Sequence, residues 1–482
     1  IFHKIFYIHM YLCGNPAGPD CRAFFFLRLG CMVFSCIISA ILGMVLQAWQ
    51  QAYEFYSKPV VSAAQGRQVF YHAFGKTEAG RTMNRRVVVT GAGLITALGA
   101  GKKENLHGIL EGRNAIMEVK SFDAGKYRGR TGGEIKNFNF SRKCRRLKPS
   151  RLDRATKLLL IAVDEALEEA GLRQNLPADT PAVFGTTLGG MLSGETYHKE
   201  IILGKKGRPS LIFDYPAHHQ GIHIAEEYGL NNASFTISNA CASGTNAIGF
   251  AYNEIRAGNI AIALAGGYDT MCEFTFAGFN SLQAITQTAC KPFDRNRDGL
   301  VLGEGVGVMI LEEMSRAVSR NASILAEVIG YGESSDAFHI TRPEPAGQGA
   351  SLAISRAISD AGISAGDIDY INAHGTGTPF NDVMESKAIQ RVFGAASRNI
   401  PVSSIKSMIG HLLGGSGAVE AIITILAMKE GVLPPNINYQ TPDPECGLNI
   451  VSVPGQKARI RRALSNSFGF GGANAAIIFQ GY

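Results

Sequence analysis

The 482-residue sequence predicts an α/β protein in which helices cover parallel or mixed sheets. Three observations support this fold class. After Met83, short runs rich in β-branched residues alternate with amphipathic stretches. Hydrophobic residues make up 46% of the chain, which is enough for a large core in several domains or in two similar halves. The 56 glycines follow no regular period, so they indicate many tight turns between regular elements.

Strand and helix patterns follow one another along the body of the chain. RRVVVTGAG predicts a strand, RATKLLLIAVDEALEEAG predicts an amphipathic helix that ends at Gly171, and PAVFGTT predicts the next strand. Later strands are predicted in SFTISNA, AIALAGG, GVGVMILEE, SILAEVIGYG, DYINAHG and PVSSIKS, and later helices in NDVMESKAIQRVFG and GAVEAIITILAMKEG. This alternation indicates strands that are linked by helices packed on a sheet.

Residues 1–82 are predicted to be an extension outside the folded body. Residues 29–53 carry no charge, and their apolar part is long enough to span a bilayer as a helix. Neither end of this apolar segment is clearly basic, and no clear signal-peptide cleavage site follows it. Met83 opens a segment typical of the natural start of a protein. Upstream translation, a targeting segment and a membrane anchor stay open as alternatives, and contact with a membrane is expected only if the extension is real.

The composition argues against several classes of function. The net charge is +7, and four of these charges precede Met83, so we expect no nucleic-acid partner. The nine cysteines form no C-x-x-C pair and no metal-site spacing with histidine, which predicts free thiols in a reducing compartment, the cytoplasm, and no metal site. GAGLITALG has Thr96 where a dinucleotide-binding loop needs its third glycine.

Cys241 stands between a predicted strand and a predicted helix in TISNACASGTNAIGF. The N-terminus of a helix favours thiolate over thiol, which would make this cysteine a nucleophile. A small buried cysteine is the alternative, and the local sequence alone does not decide between the two.

Two histidines and a lysine follow other predicted strands. His374 lies in NAHGTGTPFND, and Lys406 and His411 lie five residues apart in SSIKSMIGHLLGGSG. With Cys241 these side chains could converge on one pocket. SNSFGFGGANAA adds a glycine turn whose backbone N–H groups could donate hydrogen bonds to an oxyanion.

Six motifs occur in a fixed order: RRVVVTGAGLITALG, ACASG, PFDRNRDGLVLGEG, AHGTGT, KSMIGHLLGGSG and NSFGFGGAN. On these motifs residues 83–482 resemble the β-ketoacyl-acyl carrier protein synthases, which are decarboxylating condensing enzymes, and most closely the type II elongating synthases. The resemblance implies a thiolase-like fold of five αβαβα layers built from two pseudo-duplicated halves, which we predict at residues 83–330 and 331–482. It also implies a homodimer with active sites near the dimer interface.

The resemblance implies a decarboxylative Claisen condensation of malonyl-acyl carrier protein with a cysteine-bound acyl chain in fatty acid elongation. Cys241 would carry the acyl chain, and His374 and His411 would promote loss of CO2 from the malonyl group. Lys406 would organise the site, and the backbone N–H groups of Cys241 and Phe470 would form the oxyanion hole. No cofactor is implied, because the phosphopantetheine of acyl carrier protein delivers the acyl groups.

Further residues match family positions with supporting roles. Phe470 matches a gate between acyl-binding and closed positions. The remaining matches are the pantetheine-contacting Thr376 and Thr378, the lysine partner Glu420, and the bracing residues Arg297, Asp298 and Glu304. In the basic run RKCRRLKPSRLDRATK, we expect Arg145, Arg146 and Arg151 to dock the acidic carrier protein.

Other functions fit the residues less well. A chain-length factor lacks the nucleophile that Cys241 supplies, and a thiolase needs a second cysteine, which no residue after Cys446 provides. An initiating synthase typically pairs one histidine with an asparagine, whereas IGHLLG supplies a second histidine. A purely structural role would make every catalytic side chain vestigial. An elongating ketosynthase of a polyketide or polyene pathway remains the alternative, because AHGTGT is common in polyketide ketosynthases.

Overall fold

The computed structural model describes residues 85–136, 138, 140–141 and 144–482. The expectations for residues 1–82 lie outside the described residues. Within the described ranges, no helix is both long enough and apolar enough to cross a membrane.

The described residues alternate between strands and helices, and every strand and helix predicted from the sequence motifs is present. The strands are β1 Val87–Thr96, β2 Gly99–Ala100, β3 Met117–Glu118, β4 Thr131–Gly133, β5 Ala182–Gly185, β6 Ser234–Ile237, β7 Ile262–Asp269, β8 Leu302–Gly303, β9 Gly305–Glu313, β10 Ala326–Ser335, β11 Tyr370–Asn372, β12 Pro401–Ser403, β13 Asn449–Ile450, β14 Arg462–Gly469 and β15 Ala473–Gly481. The helices are α1 Lys102–Leu110, α2 Arg154–Glu169, α3 Met191–Ile202, α4 Pro209–Phe213, α5 His219–Tyr228, α6 Ser243–Arg256, α7 Glu273–Ser281, α8 Met314–Ser319, α9 Gln348–Ala361, α10 Pro379–Phe393, α11 Lys406–Ile409 and α12 Ser416–Glu430.

One topology occurs twice in the large sheet. The strand order is β13-β12-β11-β14-β15-β10-β1-β9-β7-β5-β6, with β2 beside β1. In β1-β9-β7-β5-β6 the first two pairings are antiparallel and the next two are parallel. The run β10-β15-β14-β11-β12 repeats this sequence of directions. The predicted duplication is therefore confirmed in the strand order. Gly330 lies within β10, and the division of the chain at residue 330 stays a prediction.

Helices separate the two half-sheets and cover their outer faces. α6 packs on β5 and β7, α12 packs on both β9 and β14, and the two helices contact each other. α2 covers β1 and β9, and α9 covers β10 and β15. Along β9, Val308 packs in the core beneath α2, whereas Met309 packs in the core around α12. The order is helix, sheet, helix, sheet, helix, which confirms the five predicted layers.

The middle layer explains two features of the sequence. Residues 416–428 of α12 are all buried, so GAVEAIITILAM carries no broad polar face. A Cβ added at Gly244 of α6 would lie 2.7 Å from the carbonyl oxygen of Gly414, and one at Gly417 of α12 would lie 2.2 Å from Thr245 Oγ1. Glycine is therefore needed at both positions, because the two helices and their loops approach closely.

Candidate active site

Three chemically reactive side chains converge where strands end. Cys241 follows β6, His374 follows β11, and His411 follows β12 and the short helix α11. One ligand-type atom of each, the cysteine sulfur and one ring nitrogen of each histidine, lies within 4.8 Å of the others. All three residues are buried, and they line one cavity of about 300 Å³. The carboxyl ends of parallel strands are the usual place for a site in an α/β fold.

A strained turn places Cys241 just before α6. Ala240 has a φ of 45°, in the left-handed region that non-glycine residues rarely adopt. Ser243 Oγ closes the turn, because it accepts from the N–H of Asn239 at 2.8 Å and donates to the carbonyl of Ala240 at 2.6 Å. The turn brings Cys241 to the N-terminal end of α6, as the sequence predicted.

Burial opposes ionisation of this cysteine. Only 8% of Cys241 is exposed, and burial raises the pKa of its thiol to about 12. The charge of Lys406 and a hydrogen bond from the N–H of Phe470 lower this pKa but do not offset the burial. Desolvation therefore opposes the stabilisation of the thiolate that the sequence predicts for a helix end, and the nucleophilic role of Cys241 stays a prediction.

The two histidines are held as neutral rings. Burial and the nearby charge of Lys406 lower the pKa of His374 and of His411 well below the ordinary histidine range. The ring centroids are 5.1 Å apart with an 81° angle between the planes. His411 Nδ1 accepts the backbone N–H of Leu413 at 3.0 Å, so the ring proton must lie on Nε2. Leu413 has a φ of 52°, and its strained backbone delivers this N–H.

Lys406 forms a buried ion pair with Glu420 next to the backbone of His374. Its Nζ lies 2.5 Å from Glu420 Oε1 and donates to the carbonyl oxygen of His374 at 2.7 Å. Burial raises the pKa of Glu420 to about 7, although the lysine charge acts in the opposite direction. Lys406 thus holds the backbone that carries His374, and it does not lie on a solvated loop.

Two buried carboxylates that the sequence analysis did not identify also hold the site. Glu385 of α10 accepts the backbone N–H groups of His374 at 2.8 Å and Gly375 at 2.7 Å. Asp269, at the end of β7, accepts the N–H of Gly414 at 2.7 Å and that of Leu188 at 2.8 Å. Burial raises the pKa of Glu385 to about 7 and that of Asp269 to about 6. Asp269 could have been found from the sequence, because it is an acidic residue at the end of an otherwise largely apolar strand, IALAGGYD.

Phe470 stands at the cavity beside the cysteine. Its side chain is 37% exposed and stacks on Phe279, with ring centroids 5.7 Å apart. Its backbone N–H faces the sulfur of Cys241 and lowers the pKa of that thiol. The role of this N–H in an oxyanion hole stays a prediction. The next residue, Gly471, has a φ of 82°, so the backbone beside the ring adopts a conformation that suits glycine.

The predicted pantetheine contacts and two of the three bracing residues lie in or beside the cavity lining. Thr376 and Thr378 line the cavity, and their hydroxyl oxygens are 2.8 Å apart. Asp298 also lines the cavity, and Arg297 donates to the carbonyl of Thr378 at 3.2 Å. Glu304 lies outside the cavity lining and forms an ion pair with an arginine of α2. The structure thus gathers four of these five residues around one loop.

The predicted docking arginines are exposed but lie outside the cavity lining. Arg145 Nη2 donates to Gln174 at 2.8 Å, and the backbone N–H groups of Arg145 and Arg146 donate to Glu227. Arg151 ends a short 3₁₀ turn before α2. Docking of a carrier protein at these three side chains stays a prediction.

Two sequence comparisons identify the family. Residues 84–317 match the family described as Beta-ketoacyl synthase, N-terminal domain, and residues 325–440 match Beta-ketoacyl synthase, C-terminal domain. The chain belongs to the β-ketoacyl synthase family. A curated β-ketoacyl synthase, 3-oxoacyl-[acyl-carrier-protein] synthase 2 of Staphylococcus aureus (strain COL), is 40% identical over 413 residues, covering 83% of this chain and 99% of the relative.

Solved structures of ketosynthases share the fold. The ishigamide ketosynthase/chain length factor superposes with a TM-score of 0.79 at 34% identity, covering 83% of this chain and all of that chain. A type II polyketide synthase acyl-carrier protein in complex with its ketosynthase, AntDE:AntF, gives a TM-score of 0.76 at 31% identity with the same coverage. The thiolase-like fold predicted from the sequence is thus confirmed.

Proposed function

We propose that this β-ketoacyl synthase elongates fatty acyl chains by condensing malonyl-acyl carrier protein with an acyl group held on Cys241. The observation that supports this most directly is the buried cluster of Cys241, His374 and His411 in one cavity. The name and the 40% identity of the Staphylococcus aureus relative support fatty acid elongation as the pathway. No cofactor is proposed, because the acyl groups arrive on the phosphopantetheine arm of the carrier protein.

In the first half-reaction the sulfur of Cys241 attacks the thioester carbonyl of the acyl-carrier protein. A bond forms between sulfur and the acyl carbon, the bond to the pantetheine sulfur breaks, and the proton lost by Cys241 is returned to the pantetheine thiolate. The N–H groups of Cys241 and Phe470 stabilise the tetrahedral oxyanion. Because burial raises the pKa of Cys241, the thiolate is scarce, and this step should accelerate as the pH rises.

In the second half-reaction the histidines act as hydrogen-bond donors to the malonyl thioester. His411 has its proton on Nε2, so it can donate to the thioester carbonyl without being charged. Loss of CO2 moves an electron pair onto that carbonyl, and the resulting enolate oxygen is stabilised by His411 and His374. The enolate carbon then forms a bond to the acyl carbon on Cys241, the bond from that carbon to the cysteine sulfur breaks, and the thiolate takes up a proton from water. The product is a 3-oxoacyl chain on the carrier protein.

Acyl carrier protein and a second copy of this chain are the proposed partners. The carrier would dock at Arg145, Arg146 and Arg151, whose exposed guanidinium groups suit an acidic partner. For the homodimer, β6 lies at the end of the sheet order, which leaves a strand edge available for pairing. Exposed apolar side chains at the ends of α3 and α4, Leu203 and Phe213, fit a protein interface. We further propose a cytoplasmic location and the two halves at residues 83–330 and 331–482.

A polyketide or polyene ketosynthase is the second candidate. It is favoured by the likeness to the ishigamide ketosynthase/chain length factor and to AntDE:AntF. Both candidates use the same condensation, so the preferred acyl chain distinguishes them.

The test follows condensed product by mass spectrometry with the purified full chain, malonyl-carrier protein and a panel of acyl-carrier proteins. Cys241→Ala removes the proposed nucleophile, and Cys446→Ala is the matched control, since Cys446 is another buried cysteine that lies outside the cavity lining. We expect 3-oxoacyl product with the wild type and with Cys446→Ala, and none with Cys241→Ala. Product formation by Cys241→Ala, or no acyl uptake by the wild type from any donor, would overturn the proposal. Preference for saturated acyl chains supports fatty acid elongation, and preference for polyketide starters supports the second candidate.

A further inference from the structure

We propose that Asp214, His219 and His223 form a binding site for a transition metal ion, Zn²⁺ by preference, outside the condensation site. Asp214 is the C-cap residue that follows α4, and the two histidines lie four residues apart on α5. Residues four apart lie on the same face of a helix, so both rings point to one side. One ligand atom from each of the three residues lies within 4.8 Å of the others.

The distances suit one ion bound by three protein ligands. Asp214 Oδ1 lies 3.0 Å from His223 Nε2 and 3.8 Å from His219 Nδ1. Zinc binds nitrogen and carboxylate oxygen at about 2.0–2.2 Å in a tetrahedron, which places neighbouring ligands about 3.4 Å apart. The two measured separations lie on either side of this value. Imidazole and carboxylate are ligands that Zn²⁺ accepts, and a fourth position would be left for water.

The second observation is an orphaned nitrogen that faces the carboxylate. His219 Nδ1 is buried and has no hydrogen-bond partner among the described residues, and at 3.8 Å it is too far from Asp214 for a hydrogen bond. Burying such an atom without a partner is unfavourable. An ion between His219 and Asp214 would satisfy the nitrogen. A hydrogen bond between Asp214 and His223 alone would not.

The surroundings hold the ligands in place. Asp214 is 6% exposed, and its backbone carbonyl accepts the amide of Gln220 at 2.8 Å. Gln220 also donates to Asp153 Oδ2 at 3.1 Å, and the hydroxyl of Tyr268 donates to the carbonyl of Ala217 at 2.9 Å. These contacts join α5 to the residue that caps α2, and they join the turn between α4 and α5 to β7. A bound ion would therefore cross-link Asp214 to α5, in a segment whose position these contacts already hold.

The site is separate from the cysteine cavity. None of its three residues lines the cavity that holds Cys241. Because Cys241, His374 and His411 also form a cluster able to bind a metal, the test must compare variants and not only measure total metal.

The test uses the purified full chain, stripped of metal by a chelator and then titrated with ZnCl₂. Isothermal titration calorimetry and elemental analysis of the dialysed protein give the affinity and stoichiometry. His219→Ala removes one ligand, and His218→Ala is the matched control, because His218 is the exposed neighbour outside the cluster. We expect His219→Ala to bind Zn²⁺ at this site more than about tenfold more weakly and to contain one zinc fewer, whereas His218→Ala behaves as wild type.

Asp214→Asn is a second ligand variant, which tests the same site if His219→Ala does not fold. The thermal unfolding of each apo variant shows whether it is folded. Zinc should raise the unfolding temperature of the wild type and of His218→Ala by more than it raises that of either ligand variant. Equal zinc content and equal affinity in His219→Ala and His218→Ala would overturn the proposal, as would a wild type that binds no zinc. In either case Asp214 and His223 are a structural hydrogen-bonded pair.

Discussion

Replacement of Lys406 by methionine should destabilise the protein strongly. Methionine approximates the length and apolar stem of lysine but leaves Glu420 as a buried acid without its cation, 2.5 Å from where the ammonium stood. It also removes the donor to the carbonyl oxygen of His374. Removing one partner of a buried ion pair lowers the free energy of unfolding by about 3–5 kcal/mol. We expect this loss for Lys406→Met in denaturant unfolding followed by circular dichroism.

A second variant shows how much of the lost stability comes from the missing charge and how much comes from the changed side-chain shape. Lys406→Met combined with Glu420→Gln no longer has an unpaired acid, so it should recover more than half of the lost stability. Lys126→Met is the control, because its ion pair with Glu273 leaves the lysine 57% exposed, and it should change stability by less than about 1 kcal/mol. A loss under about 1 kcal/mol for Lys406→Met, or no recovery in the double variant, would refute the reasoning.

The same variant should have a distinct pH dependence. Burial already raises the pKa of Glu420 to about 7 in the wild type, and removal of Lys406 removes the main influence that lowers it. A buried acid with a raised pKa is most stable when protonated, so its contribution is complete below the unfolded pKa and is lost as the pH rises through the folded pKa. The stability gap between Lys406→Met and wild type should therefore be wider at pH 8 than at pH 6.

Three further outcomes follow from the site. Iodoacetamide should alkylate Cys241 about tenfold faster for each unit of pH from 7 to 9, as peptide mapping would show, and a plateau in this range would contradict the raised pKa. Gly471→Ala and its control Gly455→Ala both place alanine at a φ near 80°, with no atom within 4 Å of the new Cβ. Each variant should therefore lose about 1–2 kcal/mol of stability through backbone strain alone. Only Gly471→Ala should also slow condensation. Glu385→Gln keeps one acceptor oxygen for the N–H groups at His374, so it should lower the condensation rate and stay folded, as kinetics and thermal unfolding would show.

The sequence predicted most of the fold because local pattern and motif order agree in this chain. Runs such as GVGVMILEE carry the near-continuous apolar pattern of a strand buried on both faces, and β9 is buried along nearly all of its length. The convergence of Cys241, His374 and His411 was predicted from their positions after strands, since strand ends share one edge of a sheet.

The protonation states could not be predicted in the same way. The thiol pKa of Cys241 depends on how completely other parts of the chain bury it, and the local sequence does not reveal that burial. Glu385 was missed because its partners at His374 and Gly375 are backbone N–H groups, which no side-chain motif marks. Asp269 was missed although its position at the end of an apolar strand was a signal. The left-handed backbone of Ala240 and Leu413 was missed because neither residue type favours it.

The close glycine contacts between α6 and α12 limit which chimeras of this enzyme and its relatives can keep the site intact. Gly244 belongs to the helix behind the cysteine, and Gly417 belongs to the helix behind the second histidine. A chimera that takes its first half from one synthase and its second half from another inherits these two helices from different parents. Any parent with a larger side chain at either position would push Cys241 away from His374 and His411, even if both halves fold well. The two helices are therefore best exchanged as a matched pair.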